Sequence, residues 1–355
     1  MTRSASMPGE AYLFRVMPAP KYAELPRFGV VIPYFQHQVG LLHRALNSIR
    51  AQEYRPVQVV VVDDGSPRPA AEEITTTLRN AVPELTVIRQ ANQGVAAARN
   101  AALDALGEDV SAIAFLDSDD YWDPAHLRNA AVALSRGADF YFANLRIEGT
   151  TTDWFRKRSR LDLLDNPRPV PEAPGIMQWA GSVPELLGFA RCPVLTSGVV
   201  FRRAIMPRVR FARTLRGVVG EGYRVWWALL MGSSGIMYCP EPTVTYGADG
   251  LGISQHAAVE WGSVRHLARL ADDLGSLRHV CNNYPMSPAE RRLLREPIGR
   301  LRQTALLCAL HSLRRRPKNA LKEIMYMWRA DPMCAAFWCV ALPKLLYTKL
   351  HRAPV

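Results

Sequence analysis

Cysteine is scarce in this sequence, and its spacing gives it no structural pattern. The 355 residues include six cysteines, none of them in a Cys-x-x-Cys pair, and most lie in apolar stretches. We therefore expect buried, reduced thiols rather than a disulfide framework. The eight histidines show no metal-ligand spacing. No Gly-x-Gly-x-x-Gly loop is present, which disfavours a dinucleotide-dependent oxidoreductase.

Long apolar segments are absent as well. No run approaches the roughly 20 apolar residues of a membrane-spanning helix, and residues 1–27 lack the continuous apolar core of a signal peptide. These two absences predict a cytoplasmic protein. Hydrophobic residues make up 48% of the chain and charged residues 21%. This composition is globular, and the length suits one large domain with an appendage.

Positive charge is concentrated near the end of the chain. The formal net charge is +12, and Met286–Val355 contain 14 Lys and Arg against 4 Asp and Glu. Lipid headgroups are the favoured anionic partner, and nucleic acid is not expected because RNA-binding aromatic patterns and zinc-finger spacing are missing. Packing on the core, contact with an anionic membrane surface and self-association remain open for the apolar helix face predicted there: Phe337, Trp338, Ala341, Leu345 and Leu346.

What the sequence does contain is a cluster of acids at the end of an apolar run. Ala112–Leu116 has the length and composition of a buried strand, and Asp117, Asp119 and Asp120 follow it directly. Carboxylates crowded on a loop beyond a strand repel one another and require a cation. Mn²⁺ or Mg²⁺ suits such all-oxygen ligands. The alternative is that the acids only cap the following helix, but Asp123 already fills that position.

Alternating strand and helix patterns surround this loop. Strands are predicted at 28–32, 57–62, 85–89 and 112–116, with helical spacing between them, and this order indicates a parallel, doubly wound α/β sheet. Further strands are predicted at 139–145, 196–201, 235–238 and 243–246, with a long, partly mobile loop at 150–182 and a helix at 221–231. From residue 255 the pattern is helical.

Four sequence pieces occur in a fixed order: VVIPY at 30–34, VVDDGS at 61–66, NQGVAAARN at 92–100 and FLDSDD at 115–120. Together they resemble the family 2 glycosyltransferases with the GT-A fold, over residues 28–250. The resemblance implies a Rossmann-like, mostly parallel sheet flanked by helices, here with a helical C-terminal extension. It also implies transfer of a sugar from a nucleotide diphosphate donor, with inversion and with Mn²⁺ or Mg²⁺.

The resemblance assigns roles to particular residues. It implies that Asp64 contacts uracil, that Arg99 lies near the nucleotide and the acids, and that Asp119 binds the metal. A turn stabilised by its own side chain is the alternative for Asp64, and the favoured role for Asp63; a surface salt bridge is the alternative for Arg99. Asp120 is either a second metal ligand or fixes the loop. The remaining donor-site residues are Pro33 and Tyr34 around the nucleoside, with backbone contact only from Gln36, and Asp117 with Ser118 near the ribose or sugar.

The candidate catalytic base lies where the sequence departs from the family pattern. Many members carry Gly-Glu-Asp with a nearby Trp, whereas this chain has Gly220-Glu221-Gly222 and Trp226. Glu221 is the best candidate for the base, and the alternative is a favourable acid at a helix N-terminus. An aromatic-Arg-x-His pattern is also missing around residue 247, where Asp249 is either a substitute metal ligand or a loop acid.

These observations predict three regions: a mobile N-terminal arm (1–27), a GT-A catalytic domain (28–252) and a basic helical extension (253–355). The predicted enzyme is a metal-dependent inverting hexosyltransferase with a UDP-sugar as donor. It would act on a glycan or lipid-linked acceptor of bacterial surface polysaccharide synthesis, in the cytoplasm or peripherally on the inner face of the membrane. One rival is a nucleotidyltransferase, disfavoured because no glycine-rich loop follows the first strand. The other is a catalytically impaired protein of the same fold that binds nucleotide sugar or tethers a partner at the membrane.

Overall fold

The computed structural model describes residues 25–82, 84–188, 191–206, 209–212, 221–247 and 260–350. For Glu221 and for residues 344–350 it describes the helical backbone only. Most of the predicted N-terminal arm, Gly220, Asp249 and the predicted domain boundary near residue 252 lie outside these ranges. The predicted boundaries therefore stay predictions.

A mixed sheet of nine strands forms the centre of the described structure. The strand order is β3-β2-β1-β4-β8-β6-β9-β5, and β7 pairs with β9. Neighbours among β3, β2, β1 and β4 are parallel, as are β6 and β9, and the other pairs are antiparallel. The strands are β1 (Phe28–Tyr34), β2 (Gln58–Asp63), β3 (Leu85–Arg89), β4 (Ala112–Phe115), β5 (Tyr121–Trp122), β6 (Phe140–Ile147), β7 (Met177–Gln178), β8 (Val199–Arg202) and β9 (Ile236–Tyr246).

Helices cover both faces of the sheet and continue beyond it. They are α1 (Leu41–Arg50), α2 (Ala70–Glu73), α3 (Thr76–Ala81), α4 (Val95–Ala105), α5 (His126–Ser135), α6 (Trp154–Lys157), α7 (Asp162–Asp165), α8 (Val183–Leu187), α9 (Glu221–Met231), α10 (Val264–Asn283), α11 (Pro288–Arg315), α12 (Pro317–Ala330) and α13 (Pro332–Leu350).

Burial on both faces explains why the first strands show no polar alternation. Successive side chains of a strand point to opposite faces. In β2, Val59 and Val61 belong to the apolar cluster under α1 and α5, whereas Val60 and Val62 belong to the cluster under α4 and α9. A strand covered on both sides must be apolar throughout. The predicted α/β fold with a helical C-terminal region is confirmed.

Three local expectations need correction. The strand predicted to begin at Thr196 starts with a tight turn (Thr196–Gly198) before β8, where a Cβ on Gly198 would lie 3.0 Å from the Ala143 carbonyl oxygen. The two strands predicted at 235–238 and 243–246 are the single strand β9, which contains Pro240 and Pro242 and whose pairing with β6 shifts register between Ala143 and Leu145. The 150–182 segment contains α6, α7 and β7, and is anchored because Phe155 and Leu163 are fully buried.

The C-terminal helices α10–α13 form a bundle with its own apolar core, which includes Leu274, Leu306 and Met327. The bundle also packs on the sheet domain, since Tyr284 stacks on Trp227 with ring centroids 5.9 Å apart. Of the apolar face predicted on the last helix, Trp338 is buried, and Phe337 and Ala341 pack against the bundle core. The side chains of Leu345 and Leu346 lie outside what the structure describes. No helix in the described ranges is long and apolar enough to cross a membrane.

Candidate active site

The carboxyl ends of three parallel strands meet at one edge of the sheet. Tyr34 at the end of β1 is in register with Asp63 at the end of β2, and Val31 is in register with Phe115 at the end of β4. The Asp64 backbone N–H donates to the Tyr34 carbonyl oxygen at 2.9 Å. This edge is where open α/β sheets bind ligands. It brings together the three predicted segments around Pro33, Asp64 and Asp117–Asp120.

Asp63 and Asp64 are adjacent in sequence but have different hydrogen-bond partners. Asp63 accepts hydrogen bonds from the backbone N–H groups of Ser66 (2.7 Å) and Ala70 (2.9 Å), so it stabilises the turn after β2, as expected for this residue. Asp64 bonds instead to the loop before α4. Its carboxylate accepts from the Gln90 side chain (2.7 Å) and from the backbone of Gln93 (2.9 Å) and Gly94 (2.7 Å).

The bonding of Asp64 leaves room for a ligand. A carboxylate offers about four acceptor positions, and the three loop hydrogen bonds occupy three of them. Asp64 therefore stabilises the loop before α4 rather than its own turn, and this bonding is compatible with one further bond from a nucleobase N–H. The uracil contact stays a prediction.

Tyr34 can offer a ligand only its main chain. Its side chain is buried, and its hydroxyl donates to the Glu73 carboxylate at 2.8 Å. Burial, together with this bond to Glu73, raises the pKa of Tyr34. Pro33 is buried as well. The two residues therefore shape the floor of the site rather than project side chains into it.

Gln36 has a role that the sequence did not reveal, since only a backbone contact was expected there. Its side-chain amide donates to the Ser118 hydroxyl at 3.1 Å, and its backbone N–H donates to the Ser66 hydroxyl at 2.9 Å. Gln36 thus links the turn after β2 to the acid loop, the loop after β4 that carries Asp117, Asp119 and Asp120. The only signal in the sequence was a polar residue shortly after the first predicted strand.

Arg99 contacts the acid loop directly. Its Nη2 lies 2.8 Å from Asp117 Oδ1, and the Arg99 side chain is only 6% exposed whereas that of Asp117 is 30% exposed. The guanidinium also lies 5.3 Å from the centroid of the Phe211 ring. The surface salt bridge considered as an alternative is therefore excluded by burial. The contact agrees with the expectation that Arg99 balances charge on the acids.

Both carboxylate oxygens of Asp120 accept hydrogen bonds from the protein. One of its oxygens accepts from the Ser197 hydroxyl and the other from the Gly247 backbone N–H at 3.0 Å. Burial, followed by the charges of Asp119 and Asp117, raises the pKa of Asp120 well above its usual range. Of the two roles predicted for Asp120, the geometry supports loop fixation over metal binding.

Asp119 is the acid best placed for a cation. Burial, followed by the charge of Asp117, raises its pKa to about 6, whereas the charges of Arg44 and Arg99 act in the opposite direction. No cluster of three or more His, Cys, Asp or Glu in the described part of the chain has the geometry of a complete metal site. Mn²⁺ or Mg²⁺ fits here nonetheless, because these ions are commonly held by one or two carboxylates plus substrate phosphates. Asp119 and Asp117 are the residues that would supply such oxygens.

The back of the acid loop is held by Arg44. Its Nη2 donates to the Asp119 carbonyl oxygen at 3.0 Å, and its Nη1 lies 3.2 Å from Glu148 Oε1. Gly247 leaves space for this contact, since a Cβ there would overlap the Asp119 carbonyl oxygen and lie 2.8 Å from Arg44. The absence of a larger residue at position 247 is therefore a packing requirement.

Ser197 is a further residue that the sequence did not point to. Its hydroxyl accepts from the Asp117 backbone N–H at 3.0 Å while donating to Asp120, and its carbonyl oxygen accepts from Trp122 at 2.7 Å. Ser197 lies 80 residues beyond Asp117, and no local pattern marks it.

Glu221 is the first residue of α9, and its side chain lies outside what the structure describes. The helix itself packs behind the acid loop, because the Trp226 ring lies 5.9 Å from Phe115 and 6.1 Å from Phe211. A Cβ on Gly222 would lie 3.2 Å from the Trp226 indole nitrogen. Crowding against Trp226 is a physical reason for glycine at this position.

Residues 29–191 match the family model for Glycosyl transferase family 2. In sequence, the chain is similar to the succinoglycan biosynthesis protein ExoW of Rhizobium meliloti, at 44% identity over 34% of this chain and 38% of that protein. It is also similar to an uncharacterized glycosyltransferase of Nostoc sp., at 32% identity over 52% of this chain and 53% of that protein. The chain thus spans about half or less of the length of these curated relatives.

Solved structures show the same architecture. S. aureus TarS 1-349 in complex with UDP matches with a TM-score of 0.56 and 18% identity, over 88% of this chain and 83% of that chain. The mannosyltransferase PcManGT from Pyrobaculum calidifontis, in complex with GDP-Man and Mn²⁺, matches with a TM-score of 0.54 and 18% identity, over 94% of this chain and 86% of that chain. The fold is therefore that of the GT-A glycosyltransferases. The match of residues 29–191 to the family 2 model confirms the resemblance seen in the four motifs.

The role of Ser197 in holding Asp117 and Asp120 in place can be tested by measuring the free energy of unfolding. Ser197→Ala removes two hydrogen bonds and leaves the buried Asp120 oxygen and Asp117 N–H without a partner, which should lower the free energy of unfolding by about 1–3 kcal/mol. Ser135→Ala is the matched control, because its hydroxyl bonds only to Ala131 one turn back in α5. Thermal unfolding of the two variants measures the difference. Equal losses would contradict a special role for Ser197.

Proposed function

We propose that this protein is a metal-dependent, inverting glycosyltransferase that takes its sugar from a nucleotide diphosphate donor, with a UDP-sugar expected. The observation that carries this proposal is the convergence of Asp64, the Arg99–Asp117 pair and Asp119 at one edge of the sheet. The family 2 domain and the GT-A neighbours crystallised with UDP or GDP-Man and Mn²⁺ support the same class of donor.

Each group at this edge has a separate task in the proposed reaction. Asp64 accepts the base N–H, and a charged acceptor strengthens that bond. Asp119, with Asp117 beside it, supplies oxygen ligands, and Arg99 keeps Asp117 in place. Mn²⁺ or Mg²⁺ bound there supplies positive charge that stabilises the departing nucleotide diphosphate.

The acceptor class is inferred from the relatives. ExoW is named for succinoglycan biosynthesis, so we propose a glycan or a lipid-linked sugar of a bacterial surface polysaccharide pathway as the acceptor. The donor base, the metal and the acceptor are separate claims. The experiments below address them one at a time.

The metal claim is tested by ligand-dependent stability. Asp119→Ala should abolish the stabilisation by UDP that requires Mn²⁺ in the parent protein, where a ligand at 100 times its Kd contributes about 2.7 kcal/mol. Asp123→Ala is the control, since Asp123 lies close by in sequence but pairs with Arg146 at 2.8 Å. The readout is the melting temperature with UDP, with Mn²⁺ and with both. A UDP–Mn²⁺ shift in Asp119→Ala equal to that of the parent would refute the assignment.

Transfer with inversion also needs a base for the acceptor hydroxyl proton. We propose Glu221 for this role. The support is the position of its backbone at the start of α9, the helix that packs through Trp226 against Phe115 and Phe211.

Glu221→Gln keeps the size of the side chain but cannot take a proton. It should retain UDP–Mn²⁺ affinity and melting temperature while losing transfer by about 10²–10⁴-fold, the range typical of general base catalysis. Turnover with a panel of nucleotide sugars measures the loss. Near-parental turnover would move the role to another acid, with Asp249 the next to test. Absence of transfer in the parent protein, despite donor binding, would favour the impaired nucleotide-sugar-binding protein instead.

We also propose that the bundle contacts an anionic membrane surface through the outer sides of α12 and α13. Leu321, Met325 and Trp328 of α12 are exposed at helical spacing, and the exposed residues Met333 and Val340 continue this apolar surface on α13. Trp328 and Trp338 join the two helices, with ring centroids 5.9 Å apart. Exposed basic residues lie alongside on α12: Lys318, Lys322 and Arg329. An apolar face with a basic flank is the composition of an interfacial helix.

The membrane claim predicts that Leu321→Glu weakens sedimentation with phosphatidylserine-containing vesicles. Lys318→Glu and Lys322→Glu should weaken it further, by about 1 kcal/mol for each basic residue removed, and salt should screen this part. Leu161→Glu is the matched control, because Leu161 and Leu321 are both 51% exposed but Leu161 lies in another part of the fold. Binding insensitive to these changes would refute the proposal. A Leu321-dependent dimer in gel filtration would identify self-association instead.

A further inference from the structure

Arg158 differs from the arginines around it. Arg156 pairs with Asp153, and Arg160 and Arg191 both lie near Asp162. Arg158 is half-buried, forms no ion pair in the described structure, and its Nε is buried without a hydrogen-bond partner. Burial lowers its pKa, yet a guanidinium stays charged in proteins.

A guanidinium with a buried, unbonded Nε and no ion pair in the described structure is available to bind an anion. Removing an ionised group from water is costly unless it is paired, and no carboxylate of the described chain pairs with Arg158. The aromatic ring in contact with it is Trp154, with the Arg158 guanidinium carbon 5.3 Å and the Lys157 ammonium 5.8 Å from the ring centroid. Two cations therefore lie beside one aromatic ring.

The location connects this cluster to the acid loop. The Trp154 ring lies 6.5 Å from the Tyr246 ring, and Tyr246 is followed directly by Gly247, whose N–H binds Asp120. Arg158 is thus connected to the acid loop through Trp154 and Tyr246.

We propose that Arg158, lying against Trp154, binds an oxyanion carried by the acceptor, either a phosphate or a carboxylate attached to the sugar that is glycosylated. The inference rests on the proposed function, since it assigns this side of the site to the acceptor. Arginine suits the task because its planar donors match both oxyanions in pairs of hydrogen bonds. The donor diphosphate is assigned to the opposite side, at Asp64 and Asp119.

The first experiment needs no turnover. In EDTA-containing buffer, methyl phosphate or glucuronate should raise the melting temperature of the parent protein, and Arg158→Gln should lose this increase while Arg158→Lys keeps part of it. Arg156→Gln is the matched control, because Arg156 lies on the same helix turn but is exposed and paired. Equal stabilisation of the parent and Arg158→Gln, or equal loss in Arg156→Gln, would overturn the proposal. The two probes separate phosphate from carboxylate recognition.

The second experiment uses transfer to three acceptors: a prenyl-diphosphate-linked sugar, a uronate-containing oligosaccharide and a neutral oligosaccharide. Arg158→Gln should raise KM by about 10- to 100-fold for the charged acceptor that is used, with kcat and the UDP–Mn²⁺ melting shift unchanged. An equal increase for the neutral acceptor would show that Arg158 only supports packing and would overturn the inference. Failure of UDP–Mn²⁺ to bind the parent would instead refute the proposed function, whereas the anion titration does not depend on it.

Discussion

A single buried carboxylate determines where the acid loop lies. Asp120 accepts hydrogen bonds from Ser197, at the start of β8, and from the backbone of Gly247, at the end of β9. Three segments that are distant in sequence therefore meet at one side chain. Because a buried carboxylate is costly unless its oxygens are bonded, the loop can hardly move without breaking these contacts. The edge of the sheet is preorganised by this constraint.

Two pairs of neighbouring acids at this edge of the sheet show the same pattern of hydrogen bonding. In each pair of neighbouring acids, the carboxylate of one is fully hydrogen-bonded within the protein, and the carboxylate of the other can still accept a hydrogen bond or bind a cation. Asp63 stabilises its own turn while Asp64 keeps one position open, and Asp120 holds the loop while Asp119 stays free of side-chain bonds in the described structure. Adjacent residues on a loop point in different directions, so one can be anchored while the next faces the ligand. Two acids in sequence thus do not imply two acids in the reaction.

Prediction from the sequence was possible where the signals were local. The parallel half of the sheet, the acid loop after β4 and the loop before α4 follow from apolar runs and their end signals, and the four motifs identified the family. It missed Gln36 and Ser197, because their contacts cross 82 and 80 residues of chain and depend on the strand order, which no local pattern encodes. For the predicted apolar face of the last helix, the sequence left packing, membrane contact and self-association open, and the described residues of that face support packing. Apolar spacing cannot distinguish a packed face from an exposed one when a helix is apolar on several sides.

The distribution of charge across the site suggests how donor and acceptor can approach each other. The donor side is rich in carboxylates, and Arg99 neutralises only part of that charge, whereas the side around Trp154 carries the cations Lys157 and Arg158. If the acceptor bears an oxyanion, as proposed, it must come near a diphosphate on which negative charge grows. At a separation of about 10 Å and an effective dielectric constant of about 20, each pair of charges costs about 1.7 kcal/mol. A fixed cation on the acceptor side offsets this repulsion in every turnover, and it does so without occupying the donor side.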